Sequence, residues 1–586
     1  MKFKTLRIKF RLRLKKLFLD IRQTHLKDLR NLTFSNIKKI PDIVHLKNLV
    51  LFGGILSIVV VAMFVTRFSS LRPLYIKEIP TSGGVYSHGV VGYIEKINPL
   101  FAQNEAESVA DKLIFSGLTR EISVSDYHPD LAESWEISAD KLTYIFKLKQ
   151  GIKWHDGEMF TADDVIFTVG LIQNPDARSP LSQIWRGVVI EKINDYEIKF
   201  TLPNAFPGFL GVASQPMLPK HLLSEIDPKS VKVAEFNVNP IGTGPYKFVR
   251  FDQIGTQSEI ILEANLDFSI HKPFIEQVRV IFFNTEEDLY KGLARRQIMG
   301  VSSIPLDKLA EIKRQENLTL EESYLPQYEV LSFNLKNELL AVKEIRKALA
   351  MSINREEIIS GVFEGNAREV SVPILPGRDG FDSKAKGLTY DVPGANKVLE
   401  EAGYLRGEDG VRRKEGKILK FSLVHLDDPE NSKIAEIIKN QFARAGVAIE
   451  LVPTNIAQIS ANHIRPRGFD ILLIGQNVGA NEDLYSFWHS SQATDPGLNF
   501  SGFSDKKVDK LLELVRKSSD KEYRAERLKQ VQEVIIDEQP AIFLFSPLHV
   551  SALKEDIRGA RQLRISQPND ILNNIYDWYI KTKEIR

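Results

Sequence analysis

Residues able to do chemistry are few and scattered in this 586-residue sequence. His155 stands beside Asp156 in Trp154-His155-Asp156-Gly157, where an imidazole could act as a base, ligate a metal or brace a turn. The remaining histidines lie apart, so spacing supports no metal site. Asp163 and Asp164 are adjacent carboxylates, and a helix first turn, where acids complement the dipole, accounts for them. Gly410 to Lys417 has the outline of a phosphate loop, but its glycine spacing is one residue too long, and Ile418 stands where a Mg2+-binding Ser or Thr is needed. HExxH and GxSxG are absent. The sequence has no cysteine, which removes thiolate nucleophiles, CxxC pairs, cysteine zinc sites and any lipid attached through a thiol. A sugar-cleaving carboxylate pair stays open, since separation in space defines it. With no catalytic constellation, the reading is a non-enzyme without a cofactor.

The elements around these residues follow from periodicity. Leu142, Tyr144, Phe146 and Leu148 alternate with Thr143, Ile145 and Lys147, and Gln150-Gly151 is expected to turn the chain back through Ile152 and Trp154 as a hairpin. Thr161 with Asp164 three residues on makes a capping box for a helix carrying Val165, Ile166, Val169 and Ile172. Asn354 with Glu357 reads as a second box, restarting the helix of Ile345, Ala348, Leu349 and Ile353. From Leu419 the pattern is α/β. Leu419, Phe421 and Leu423 alternate as a strand; Ile434, Ile438, Phe442 and Ala445 line a helix that stops at Gly446; Val447, Ile449 and Leu451 form the next strand. Phe469 to Ile474 is a more buried strand beyond this βαβ unit. An early β-rich part and a later α/β part imply at least two lobes.

Charge is distributed unevenly. The net is +2, yet residues 1–47 hold 14 Lys/Arg against three Asp/Glu, leaving 64 basic against 73 acidic groups in the rest. Between them, Asn48 to Thr66 is a 19-residue run without charge, about 29 Å long as a helix and thus the thickness of a bilayer core. An uncleaved single-pass anchor is expected, with the basic side in the cytoplasm. A cleaved signal fits less well, because 47 residues precede the run and no small-residue site follows it. The basic and apolar alternation of Lys2 to Leu17 suits an anionic membrane surface; nucleic acid is the rival partner for such charge and is not expected here. Ser69 to Ser82, with Pro73 and Pro80, reads as a tether.

Asp130-Leu131-Ala132-Glu133-Ser134-Trp135, Gly151-Ile152-Lys153-Trp154-His155-Asp156-Gly157, Phe160-Thr161-Ala162-Asp163-Asp164-Val165, Pro240-Ile241-Gly242-Thr243-Gly244-Pro245-Tyr246, Ile345-Arg346-Lys347-Ala348-Leu349-Ala350, Glu401-Ala402-Gly403-Tyr404, Phe487-Trp488-His489-Ser490 and Phe500-Ser501-Gly502-Phe503-Ser504 occur in this order. Together they resemble family 5 of the bacterial extracellular solute-binding proteins, the oligopeptide/dipeptide/nickel type that serves ABC importers. The likeness spans nearly all of residues 84 to 580. It implies an α/β, two-lobed periplasmic-binding-protein-like fold with an extra domain inserted in the first lobe, here preceded by a single transmembrane helix. The implied layout is a basic cytoplasmic tail (1–47), the span (48–66), a tether (67–81), lobe I (82–117, 236–325 and 551–586), the insert (118–235) and lobe II (326–550), with hinge crossings near Pro326 to Asn334 and Val550.

The resemblance also implies a ligand between the lobes, an extended peptide held by main-chain hydrogen bonds as if adding a strand. Gly475, Gln476, Asn477, Val478 and Gly479 follow the buried strand, at a strand C-terminus where α/β sheets bind ligands. Glu95, Lys96 and Ile97 are the matching segment across the cleft. Tyr485 and Trp488 are candidate apolar walls, or core. Peptide-binding members place an acid here for the ligand ammonium, often within or just before Asp-Pro-Asp. This chain reads Gln476-Asn477-Val478-Gly479-Ala480-Asn481-Glu482-Asp483, with Val478 and Asn481 at the earlier acidic positions, Asp483 retained and Glu482 a candidate substitute, a departure from the family pattern that leaves recognition of a peptide amino terminus open. The expected function is a membrane-anchored extracytoplasmic receptor that passes peptides or similar solutes to ABC permease and ATPase subunits. The alternative is a sensing or peptide-scavenging module without transport.

Overall fold

A computed structural model of the chain describes residues 53–63 and 77–585, apart from 124–125, 207, 255–256, 480–482, 519 and 562–563. The chain divides into two compact units, Pro80–Thr582 on one hand and Met1–Ile79 with Lys583–Arg586 on the other. In the smaller unit, residues 53–63 are helical, and Ile55, Leu56, Ile58 and Met63 are exposed. Among the described residues no helix is long and apolar enough to cross a membrane. The rest of the expected span Asn48 to Thr66 lies outside the described residues, as does the basic tail. Within the expected tether, Lys77–Thr81 is a strand instead.

The larger unit holds two large mixed sheets. Strands of the first are β1 (Val85–Val91), β2 (Tyr246–Ile254), β3 (Gln257–Ala264), β4 (Gln277–Phe283), β5 (Gly300–Val301) and β6 (Leu318–Ser323). The second contains β7 (Gln327–Phe333), β8 (Ala367–Glu369), β9 (Lys420–Leu426), β10 (Ala448–Thr454), β11 (Ile471–Asn477) and β12 (Ala541–Pro547). The chain then returns to the first sheet as β13 (His549–Lys554). Spatial orders are β6-β13-β5-β1-β4-β3-β2 and β8-β12-β7-β11-β9-β10. Among the described residues, only Tyr324–Pro326 and Leu548 connect the sheets directly.

Helices α1 (Glu105–Ile114) and α2 (Glu286–Ala294) pack on the first sheet, and α3 (Lys343–Met351), α4 (Arg355–Phe363), α5 (Pro429–Arg444), α6 (Lys506–Lys517) and α7 (Lys521–Glu538) on the second. Strand alternation sorts the second sheet's side chains into two cores. Leu331, Phe333, Leu423, Ile471 and Leu473 meet Ile434, Ile438 and Phe442 of α5 on one face. Tyr328, Val330 and Phe543 meet Val508, Leu512, Val531 and Ile535 of α6 and α7 on the other. The β9-α5-β10 unit is parallel as expected, and β11 joins β9 on its far side, also parallel. Asp428 caps α5 by accepting from Asn431 N–H at 2.9 Å, and Gly446 ends it at φ +81°, a conformation that favours glycine.

A four-stranded antiparallel sheet lies between β1 and β2 in sequence, in the order Ala132–Ile137, Thr143–Leu148, Glu197–Thr201, Val189–Asn194. Here the expected hairpin is corrected. Thr143–Leu148 pairs with Ala132–Ile137 and with the distant Glu197–Thr201, not with Ile152 and Trp154. Residues 152–160 close on themselves instead, Trp154 N–H donating to Glu158 O and Phe160 N–H to Ile152 O. The Thr161 capping box is present, with Thr161 N–H to Asp164 Oδ2 at 2.9 Å. At Asn354 only half a box forms: Glu357 N–H reaches Asn354 Oδ1, but the Glu357 carboxylate turns to Arg444 at 2.8 Å.

His155 braces a turn. Its Nδ1 accepts from Gly242 N–H at 3.2 Å and its Nε2 donates to Gly244 O at 3.1 Å, a neutral imidazole spanning two main-chain groups. Burial holds its pKa down at about 4. The same two glycines lie against the end of α1, where a Cβ on Gly242 would be 1.9 Å from Ile114 O. The Pro240 to Tyr246 motif is therefore a close backbone-to-backbone contact that no larger residue can make.

Candidate functional site

The β7 and β11 strands leave the second sheet side by side. They are antiparallel, with Glu329 opposite Gly475, Tyr328 opposite Gln476 and Gln327 opposite Asn477. Val478 N–H continues the ladder to Pro326 O at 2.8 Å. Because main-chain groups alternate sides along a strand, Gly475 and Asn477 turn theirs away from β7. On that side β9 pairs with β11 only at Ile471 and Leu472. An open edge of β11 thus begins where β9 ends.

The other expected residues divide by what they already hold. Val478 is in the core and Gly479 takes φ +70°, its N–H donating to Asn477 Oδ1 at 2.8 Å. Trp488 is fully core, with Phe503 and Phe543 as ring neighbours and its Nε1 without a hydrogen bond among the described residues, so it is no exposed wall. Asn481 and Glu482 lie outside the described residues. Asp483 is already paired: both carboxylate oxygens receive Arg516, Nε lying 3.0 Å from Oδ2. That guanidinium also covers the Tyr485 ring at 3.6 Å and faces Phe206 at 5.9 Å, while Tyr485 stacks on His489 at 4.0 Å. Asp483 and Tyr485 are thus parts of one Arg516-centred cluster.

Across the molecule, Glu95 reaches solvent with 62% of its side chain exposed, whereas Lys96 is buried 3.6 Å from Glu107 and Ile97 is core. Ile97 N–H is used by Asn237 O at 2.8 Å. No hydrogen bond or ion pair joins this segment to Gly475–Gly479 among the described residues.

Sequence reading missed Glu329. Its side chain lies over Gly475, where a Cβ would be 2.6 Å from Glu329 Oε1, and it makes no hydrogen bond or ion pair among the described residues. Burial first, then repulsion from Glu430 and Asp428, raises its pKa to about 7. Glu430 in turn feels Asp428 and Glu286, and Glu105 feels Glu286. Glu286 of α2 on the first sheet therefore lies within electrostatic reach of Glu430 at the start of α5 on the second. A signal existed: in Gln327–Phe333, Glu329 occupies the alternating phase of Leu331 and Phe333, both core residues.

The profile described as bacterial extracellular solute-binding proteins, family 5 (middle), matches residues 126–497. The chain belongs to this family. The oligopeptide-binding protein AppA of Bacillus subtilis (strain 168) is 28% identical over 515 residues, covering 86% of this chain and 92% of AppA. The structure of that protein in complex with a nonapeptide matches with a TM-score of 0.71 at 27% identity, over 86% of this chain and 100% of AppA. NikZ of Campylobacter jejuni in complex with Ni(L-His) matches with a TM-score of 0.70 at 29% identity, over 84% of this chain and 99% of NikZ. The fold is accordingly the α/β, periplasmic-binding-protein-like one, in a solute-binding protein of the type that serves ABC importers.

Proposed function

We propose that the chain is a membrane-anchored, extracytoplasmic receptor that captures peptides in a cleft between two lobes and delivers them to an ABC permease and its ATPase. The observation that carries this reading is the open edge of β11, where Gly475 and Asn477 turn main-chain donors and acceptors outward beside a strand that has ended. An extended peptide completes such an edge by main-chain hydrogen bonds, which recognise any sequence, while its side chains project to either face. The nonapeptide complex of AppA supports a peptide as the ligand class. In this reading lobe I comprises 82–117, 236–325 and 551–586, the insert 118–235 and lobe II 326–550. The short links Tyr324–Pro326 and Leu548 act as the hinge, since two brief crossings restrict the sheets to a rotation. The anchor is the uncharged run Asn48 to Thr66, with the basic tail inside and the receptor extracellular or periplasmic.

Isothermal titration of the full-length protein in detergent with defined peptides of two to nine residues tests the assignment. Micromolar or tighter binding of some length class is expected. Absence of binding to all peptides, with binding of a non-peptide solute, would overturn it. Co-purification with permease subunits from the native membrane separates an importer from a free-standing receptor.

A further inference from the structure

Glu329 is placed at the heart of the proposed cleft. Its carboxylate overhangs Gly475, the first residue of β11 whose outward main-chain groups lie past the β9 pairing. It has no hydrogen-bond or ion-pair partner among the described residues. The charged groups that bear on it, Asp428 at the cap of α5 and Glu430 in its first turn, are both acids. His425, on the same face of β9, spends its Nδ1 on Leu426 O. A mostly buried carboxylate facing two others is an arrangement that folding alone disfavours, and groups held in this way mark functional sites. Asp483 is excluded from the same role because Arg516 occupies both of its oxygens.

The geometry points to Glu329 as the specificity-determining residue that receives a cationic group of the ligand, an ammonium or guanidinium docked over Gly475. This rests on the cleft assignment above and names its chemical preference. A positive group there relieves three carboxylates at once, so the cleft discriminates against ligands that are neutral or acidic at that point. The cation has two sources, a free peptide amino terminus or a basic side chain.

The test is titration of full-length wild type and Glu329→Gln at pH 8 with four probes: tetraalanine, N-acetyl-tetraalanine amide, N-acetyl-Ala-Lys-Ala-Ala amide and, as a non-peptide cation, spermidine. In the wild type at least one cationic probe is expected to bind tenfold or more tighter than the neutral peptide, and in Glu329→Gln that ratio falls toward one. If tetraalanine carries the effect, the amino terminus is the source; if the lysine peptide does, the side chain is. Equal ratios in the two proteins overturn the inference while leaving the peptide reading intact. Glu329-dependent binding of spermidine with no peptide bound overturns the peptide reading and keeps the inference. No cation binding by any probe overturns the inference.

Discussion

Glu329 offers a prediction about stability that is independent of any ligand. Its pKa rises from 4.5 to about 7, chiefly through burial, and at about 1.4 kcal/mol per tenfold change this corresponds to about 3 kcal/mol. Part of the side chain meets solvent, which brings the expected effect to about 2 kcal/mol. The sign follows from proton uptake. Between pH 4.5 and 7 the folded chain binds more protons at this group than the unfolded chain, so its contribution falls as pH rises through that window. Replacement by glutamine keeps the shape and removes the charge. Glu329→Gln is therefore expected to match wild type at pH 4 and to exceed it by about 2 kcal/mol at pH 8, a rise of a few degrees in the unfolding midpoint. Urea titrations of both proteins, followed by tryptophan fluorescence from pH 4 to 8, provide the comparison, and subtraction cancels the titrating groups that do not interact with Glu329. A difference that does not change with pH, or one that favours wild type at pH 8, would refute the claim that Glu329 is an uncompensated buried carboxyl.

Further expectations come from the surrounding framework. Asp483→Asn breaks the pair with Arg516, whose side chains are 20% and 23% exposed, and should cost about 1–3 kcal/mol in urea unfolding. It should leave the preference for free over N-acetylated peptides unaltered; loss of that preference would restore Asp483 as the amine partner. His155 is held neutral by burial at a pKa of about 4 against an ordinary 6.5. Its contribution is complete above pH 6.5 and is lost as pH falls toward 4, so the advantage of wild type over His155→Gln should shrink by about 2 kcal/mol across that range; a constant advantage would contradict it. Gly242→Ala drives a Cβ into Ile114 O and should destabilise by about 3 kcal/mol or more, seen as a collapse in soluble yield. Normal yield and midpoint would show that the α1 contact yields easily.

What could be read in the sequence was local. The β9-α5-β10 unit, the Thr161 box and the end of α5 at Gly446 depend on periodicity and caps within about 30 residues, where spacing and geometry coincide. Pairing across longer separations was not readable. Thr143–Leu148 skips the adjacent segment for a strand about 50 residues on, because residues 152–160 satisfy their own backbone and leave that edge free. Asp483 could not reveal that Arg516 claims it, since the partner sits 33 positions away on α6. Glu329 was visible as an anomaly, a charge in an apolar phase, but its surroundings are a property of space: only the structure brings Asp428 and Glu430 beside it.

The position of β13 bears on how such a chain is made. It fills the slot between β6 and β5, strands that precede it by more than 200 residues. A polypeptide emerging from its N-terminus therefore completes the second sheet's contributors before the first sheet can close, and until residue 554 is out, β5 and β6 each present an unpaired edge. Closure of the first sheet thus waits for β13. The nascent chain depends on whatever keeps those edges apart from their neighbours, and a truncation just short of His549 should yield an aggregating product rather than a smaller folded binding protein.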